Sequence, residues 1–181
     1  MAELKQEQAA KKGDLRMIAL KIEDLKTFTA QLFMGETFDY WLVREANIVT
    51  FNSFTIDGRI RQGYYSDEEL EMNRIEEFSS WKTLRPFCYS LIRGRKLPES
   101  FQITLQLSPE ENEKFIRRVK PDLPADQIAA LYLNIRYENH AAACVTGTSL
   151  KIFMLDKQIE QEWDETVRRY FRKLQIPCVE V

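Results

Sequence analysis

The stretch FQITLQLSPEENEKFIRRV, residues 101–119, decides the fold. In its first half Ile103, Leu105 and Leu107 are apolar, and Gln102, Thr104 and Gln106 between them are polar. Successive side chains of a strand point to opposite faces, so this is a strand with one buried side and one wet side. Ser108-Pro109-Glu110-Glu111 breaks the alternation with a capping residue, a first-turn proline and an acid three residues after the cap. The helix it starts carries Phe115, Ile116 and Val119 and stops at the loop between Pro121 and Pro124. A half-buried strand joined to an amphipathic helix is the unit of an α+β fold, with helices packed on a predominantly antiparallel sheet.

Downstream, Leu131, Leu133, Ile135 and Tyr137 alternate with Tyr132, Asn134 and Arg136 in a second strand. A turn at Asn139-His140, a strand over 142–146, a turn at Gly147 and a strand over 150–155 complete this half. Upstream the same order is predicted. Ile18, Leu20 and Ile22 alternate, and a helix with Leu25, Phe28, Leu32 and Phe33 on one side closes at Gly35. Strand-like runs at 38–44 and 48–56 flank a turn at Glu45-Ala46-Asn47, and Asp57-Gly58 is a hairpin signal leading into a strand over 59–65. Strand–helix–strand–strand–strand therefore occurs twice, over 17–65 and 101–155. Either the topology is repeated, giving two meanders joined in one sheet, or a mixed chain alternates this way by coincidence. Three more helices are predicted: an acidic one from the Ser66/Glu69 capping box through residue 78, one capped by Thr83, and a C-terminal one over 156–174. In the last, Ile159, Trp163, Val167, Tyr170 and Leu174 form an apolar stripe. Residues 1–16 read as a polar extension, 17–176 as one α+β domain and 177–181 as a C-terminal tail.

The 181 residues carry a formal net charge of −2, with 44% hydrophobic and 12% aromatic side chains. That is enough apolar surface for a core, and it excludes wholesale disorder and a globally basic nucleic-acid binder. Three widely spaced cysteines suggest neither a disulfide framework nor a zinc site. No signal peptide and no membrane span is read from the sequence, so the expected location is the cytoplasm, with no membrane partner.

Candidate chemistry is sparse. His140 is the sole histidine and falls in a turn; Cys144 reads as a small buried hydrophobe. Asp39, Asp57 and Asp156 lie near strand ends without metal-ligand spacing, and Gly147-Thr148-Ser149 offers only a weak phosphate nest. The most specific polar feature is the basic segment 82–96. On its helix Arg85, Tyr89 and Arg93 fall at i, i+4 and i+8, Arg95 and Lys96 extend the charge, and Leu84, Phe87, Cys88 and Leu91 take the other side. Bases interleaved with an aromatic suit contact with phosphate and stacking on bases. Immediately upstream, 66–77 holds six acids and one Arg, and mutual compensation of the two runs is the simpler reading.

Three stretches, CVTGTSLKIFMLDKQIEQEWDE (144–165), EANIVTFNSFTIDGR (45–59) and LRPFCYSLIRGRKLPESFQITLQLS (84–108), resemble an uncharacterised bacterial family classed as a domain of unknown function. The resemblance spans 17 to about 176. It implies a bacterial, cytoplasmic, single-domain protein and carries no activity or catalytic residues. At the level of fold alone, the paired order of elements is similar to a DNA sliding-clamp domain. The expected role is a non-catalytic binding or protein-interaction domain with an unknown protein partner and no cofactor. The alternatives are a nucleic-acid-associated protein using Arg85, Tyr89, Arg93, Arg95 and Lys96, and a hydrolase with an unrecognised carboxylate site.

Overall fold

The computed structural model describes residues 17–181; the expected extension, 1–16, lies outside the described residues. Seven strands among these residues form one antiparallel sheet. They are β1 (Ala19–Ile22), β2 (Leu42–Val49), β3 (Ser53–Asp57), β4 (Ser100–Gln106), β5 (Ile128–Glu138), β6 (Ala141–Leu150) and β7 (Cys178–Glu180), in the spatial order β3-β2-β4-β5-β6-β1-β7. Five helices accompany them: α1 (Leu25–Phe33), α2 (Asp67–Met72), α3 (Trp81–Ile92), α4 (Pro109–Val119) and α5 (Gln158–Lys173). The class is α+β.

Alternation along each strand sorts the sheet into two faces. Ala46, Ile103, Ile135, Cys144 and Leu20 form one fully or nearly fully buried row. Onto the same core α1 sets Phe28 and Leu32, α3 Trp81, α4 Ile116, and α5 Trp163 and Phe171. The opposite face carries Asn47, Gln102, Arg136, Ala143 and Lys21 in a matching row. The β4–α4 junction is as its sequence dictates: Ser108 caps α4 by accepting from the Glu111 amide, with Pro109 as the first helical residue.

Several local expectations are corrected. Glu45-Ala46-Asn47 is not a turn but the middle of β2. Its polar residues belong to the open face, where Thr55 Oγ1 donates to Asn47 Oδ1 at 2.7 Å, and the turn lies at 50–52. Asp57-Gly58 makes no hairpin. A Cβ on Gly58 would fall 1.8 Å from the Val43 carbonyl oxygen, so glycine serves a close backbone approach at the β2 bulge. The chain then pairs with residues 77–79 and enters a short 3₁₀ turn, Gln62–Tyr64, so no strand forms over 59–65. For the same reason α2 stops at Met72: residues 77–79 must be extended to reach Gly58 and Val43. α3 is capped by Ser80 rather than Thr83, which allows Trp81, fully buried, to donate from Nε1 to the Leu32 carbonyl at 2.8 Å. Gly147 pairs with Tyr132 inside β6, so there is no turn there and no strand over 150–155.

Each half is therefore strand–helix–strand–strand, and the halves are wired differently. β4 lies beside β5, whereas β1 is separated from β2 by β6, β5 and β4. Among the described residues neither half has a third strand of its own, so the strand–helix–strand–strand–strand order is not repeated. Residues 178–180, expected in a tail, add β7 to the edge of β1, with Lys21 opposite Val179.

Candidate functional site

The basic segment separates into structural and free parts. Arg85 donates from a terminal nitrogen to Asp39 Oδ2 at 3.1 Å, its Nε lies 3.0 Å from Oδ1 as a charge contact without hydrogen-bond geometry, and only 16% and 5% of these side chains are exposed. It is a buried ion pair. Tyr89 is half-buried against the core. Phe87, expected on the apolar side, is instead 61% exposed. Arg93, Arg95 and Lys96 are exposed at the end of α3 and in the following loop, and no carboxylate among the described residues forms an ion pair with them. The acidic run does not cover them: Glu77 pairs with Arg59 at 2.6 Å, and no ion pair joins 66–77 to 82–96 among the described residues. Compensation comes instead from a residue 46 positions upstream of Arg85.

The other sequence candidates have local roles. His140 sits exposed in the β5–β6 turn with φ 61°. Asp57 accepts from the Arg59 amide, and Asp156 accepts from the Gln158 amide at the start of α5 and pairs with Lys120. The residues 147–149 are laddered to β5, so their amides form no nest. Burial pushes the Cys88 thiol up to about 12 and that of Cys144 further, which keeps both protonated. Among the described residues no group of three His, Cys, Asp or Glu side chains is placed to hold a metal ion.

What sequence reasoning missed is a cleft of about 640 Å³ between α4, α5 and the α1–β2 loop. Its floor is aromatic. Trp41 from the loop lies 5.8 Å from Tyr170 and 6.1 Å from Trp163, ring centre to ring centre, and Phe115 of α4 meets Trp163 edge-on at 5.8 Å. Hydrogen bonds fix the rings: Tyr170 donates its hydroxyl to the Thr37 carbonyl at 2.7 Å and accepts from Trp41 Nε1 at 3.3 Å, and Trp163 Nε1 donates to the Tyr132 carbonyl at 3.0 Å. Burial raises the Tyr170 pKa above that of an ordinary tyrosine, so the hydroxyl stays a donor. Around the rim Lys114 pairs with Glu110 and Glu111 at 3.0 and 2.7 Å, and the Arg118 guanidinium lies 5.6 Å from the Phe115 ring centre. Tyr40, on the lip beside Trp41, is 92% exposed. The sequence signals for this site were the α5 stripe, which contains Trp163 and Tyr170, and Phe115 on the apolar side of α4, and neither shows what it faces.

A comparison with protein-family models matches residues 31–178 to a family of unknown function (DUF5721). No curated protein matches the chain, and no solved structure does.

Proposed function

We propose that the chain, which belongs to the DUF5721 family of unknown function, is a non-catalytic protein-interaction domain whose aromatic cleft receives an apolar side chain from a partner protein. The observation that carries this reading is the combination of a pre-formed aromatic floor with Tyr40 standing exposed on its lip. A small molecule inside the cleft would leave that ring in water; a protein surface laid across the mouth would cover it. Interfaces concentrate binding energy in Trp, Tyr and Arg around one filled pocket, and Tyr40, Trp41, Trp163 and Arg118 supply those types. The Tyr170–Thr37 and Trp163–Tyr132 hydrogen bonds hold the floor in place beforehand, which lowers the ordering cost of binding.

The test uses the three tryptophan indoles as reporters. Trp41 and Trp163 line the cleft, whereas Trp81 is buried under α1. Titrating ¹⁵N-labelled protein with N-acetyl-tryptophanamide, a stand-in for an aromatic anchor, shifts the Trp41 and Trp163 indole signals and leaves that of Trp81 in place. Uniform shifts of all three, or none, would remove the cleft as the contact site.

A second reading is association with nucleic acid through Arg93, Arg95 and Lys96, supported by their exposure and by the absence, among the described residues, of ion pairs to the acidic run. Retention of labelled RNA or DNA on a filter at low salt, lost when the three bases become alanine, is its signature. Arg85 and Tyr89 have no part in this version, because one is paired and the other packed.

A further inference from the structure

Residues 152–155, Ile-Phe-Met-Leu, connect β6 to α5 and turn three of their four side chains to water. Ile152 is 40% exposed, Phe153 88% and Leu155 87%, while Met154 packs against the core. No other four-residue stretch among the described residues exposes three large apolar side chains. Single hydrophobic side chains are ordinary on a surface; a contiguous group marks a contact site.

This loop is fastened at both ends. The Lys151 amide donates to the Gln127 carbonyl at 2.8 Å, and Asp156 accepts from the Gln158 amide at 2.8 Å and pairs with Lys120. Gln158 Nε2 adds a bond to the Val119 carbonyl at 3.1 Å. The loop is thereby tied to the C-terminal end of α4, and Phe153 stands in water rather than in the cleft of its own chain. The aromatic cleft is its chemical complement, with a floor of Trp41, Phe115 and Trp163 and a volume of about 640 Å³. A space within the range of small-molecule sites also takes one aromatic and one branched side chain. One chain thus displays both the anchor and the receptor. Resting on the reading of the cleft as the receiver of an apolar side chain, we propose that the partner is a second copy of this chain, whose Phe153 and Leu155 enter the cleft beside Tyr40.

The size of the contact sets its strength. Burial of the Phe153 and Tyr40 rings removes roughly 300–500 Å² from water, or roughly twice that with the surfaces they cover. Specific interfaces start at about 1,200 Å², so the association is weak and depends on concentration. Sedimentation equilibrium of the full chain from about 10 μM to 1 mM covers that range. The mean mass rises with concentration above the 21.4 kDa of one chain. The Trp41 and Trp163 indole signals shift with it, and that of Trp81, buried under α1, does not. Phe153→Ser with Leu155→Ser, both at exposed positions, keeps the melting temperature of the parent and weakens association by about tenfold or more. Mixing separates a lost contact from a damaged fold. Phe153→Asp spoils the anchor and Tyr40→Asp spoils the lip, so each associates poorly alone. Their equimolar mixture associates better than either, because one supplies an intact loop and the other an intact cleft.

A chain that stays monomeric at the highest concentration, undiminished association in the double serine variant, or a mixture no better associated than its parts would overturn the inference. So would a monomeric chain that sediments with phosphatidylglycerol vesicles through the loop, since a lipid surface would then be the occupant. N-acetyl-tryptophanamide keeps the two failures apart: it still shifts the Trp41 and Trp163 indoles when only self-association is wrong, and shifts neither when the cleft reading itself has failed.

Discussion

Arg85→Ala isolates the buried ion pair and separates structural from free charge in the basic segment. The Arg85 side chain is 16% exposed, its partner Asp39 is 5% exposed, and one hydrogen bond of 3.1 Å and a charge contact of 3.0 Å join them. Truncation leaves a carboxylate out of water with no counter-charge, and removing one partner of a buried pair costs about 3–5 kcal/mol. For a chain of this size each kcal/mol lowers the melting temperature by about 2–4 °C, so the expected loss is roughly 6–20 °C. Asp39→Asn in the Arg85→Ala background recovers part of it, because the stranded charge is gone; the two substitutions are therefore less than additive. Arg93→Ala, one helical turn beyond Tyr89 and exposed, stays within about 0.5 kcal/mol of the parent. Calorimetric melting of these variants and the parent gives all the differences. If Arg85→Ala melted within about 2 °C of the parent, a loss below 1 kcal/mol, Arg85 would have to be reassigned to the free surface.

Three further outcomes follow from single sites. Asp164, buried on α5 and accepting from Thr146 Oγ1 at 2.5 Å, has its pKa raised by burial, so the folded state holds the proton more tightly than the unfolded one. Its contribution is fully present below the unfolded pKa near 4 and is lost as pH rises through the folded value, so Asp164→Asn gains melting temperature over the parent from pH 4 to pH 7, and a gap that shrinks refutes this. Gly58→Ala forces a Cβ against the Val43 carbonyl oxygen and costs about 1–3 kcal/mol in urea unfolding; unchanged stability would mean the β2 bulge yields freely. In native protein a thiol reagent such as DTNB modifies Cys178 alone, since Cys88 and Cys144 are buried and protonated; rapid release of three equivalents contradicts that.

The elements legible in the sequence are those whose causes are local. β4 and α4 announce themselves because alternation, cap, proline and apolar face all fall within 101–119. The α5 stripe is equally self-contained, and Ile159, Trp163 and Val167 are buried as its spacing requires. Misreadings arose where a distant strand supplied the reason. The polar residues of β2 imitate a turn until β3 and β4 flank them. Gly58 imitates a hairpin until Val43 approaches it. The place of β1 between β6 and β7 rests on pairings across most of the chain, Leu20 with Cys144 and with Glu180, and no window of sequence contains both partners.

The candidate site was hidden for a related reason, and the loop 34–41 shows it best. The periodicity set Arg85, Tyr89 and Arg93 on one stripe, but only Arg85 of the three reaches Asp39, a loop residue with no periodic context. The same loop carries Trp41 and Thr37, which fix Tyr170 and so the floor of the aromatic cleft. It also receives the first turn of α3, since the Trp81 amide donates to the Trp41 carbonyl at 2.7 Å and the Lys82 amide to that of Asp39 at 3.2 Å. One eight-residue segment thus anchors the basic helix on one side and builds the cleft wall on the other. Loss of the Arg85–Asp39 pair therefore reaches further than the pair itself. The loop loses its charge contact to α3 and keeps the two backbone hydrogen bonds, while the Trp41 ring keeps one hydrogen bond to Tyr170 and its packing on Tyr170 and Trp163. In Arg85→Ala the Trp41 indole signal shifts and broadens while that of Trp163, fastened to the Tyr132 carbonyl of β5, holds its position. An unmoved Trp41 would show that ring packing alone positions the loop, and that the charged helix and the aromatic cleft are independent parts of the fold.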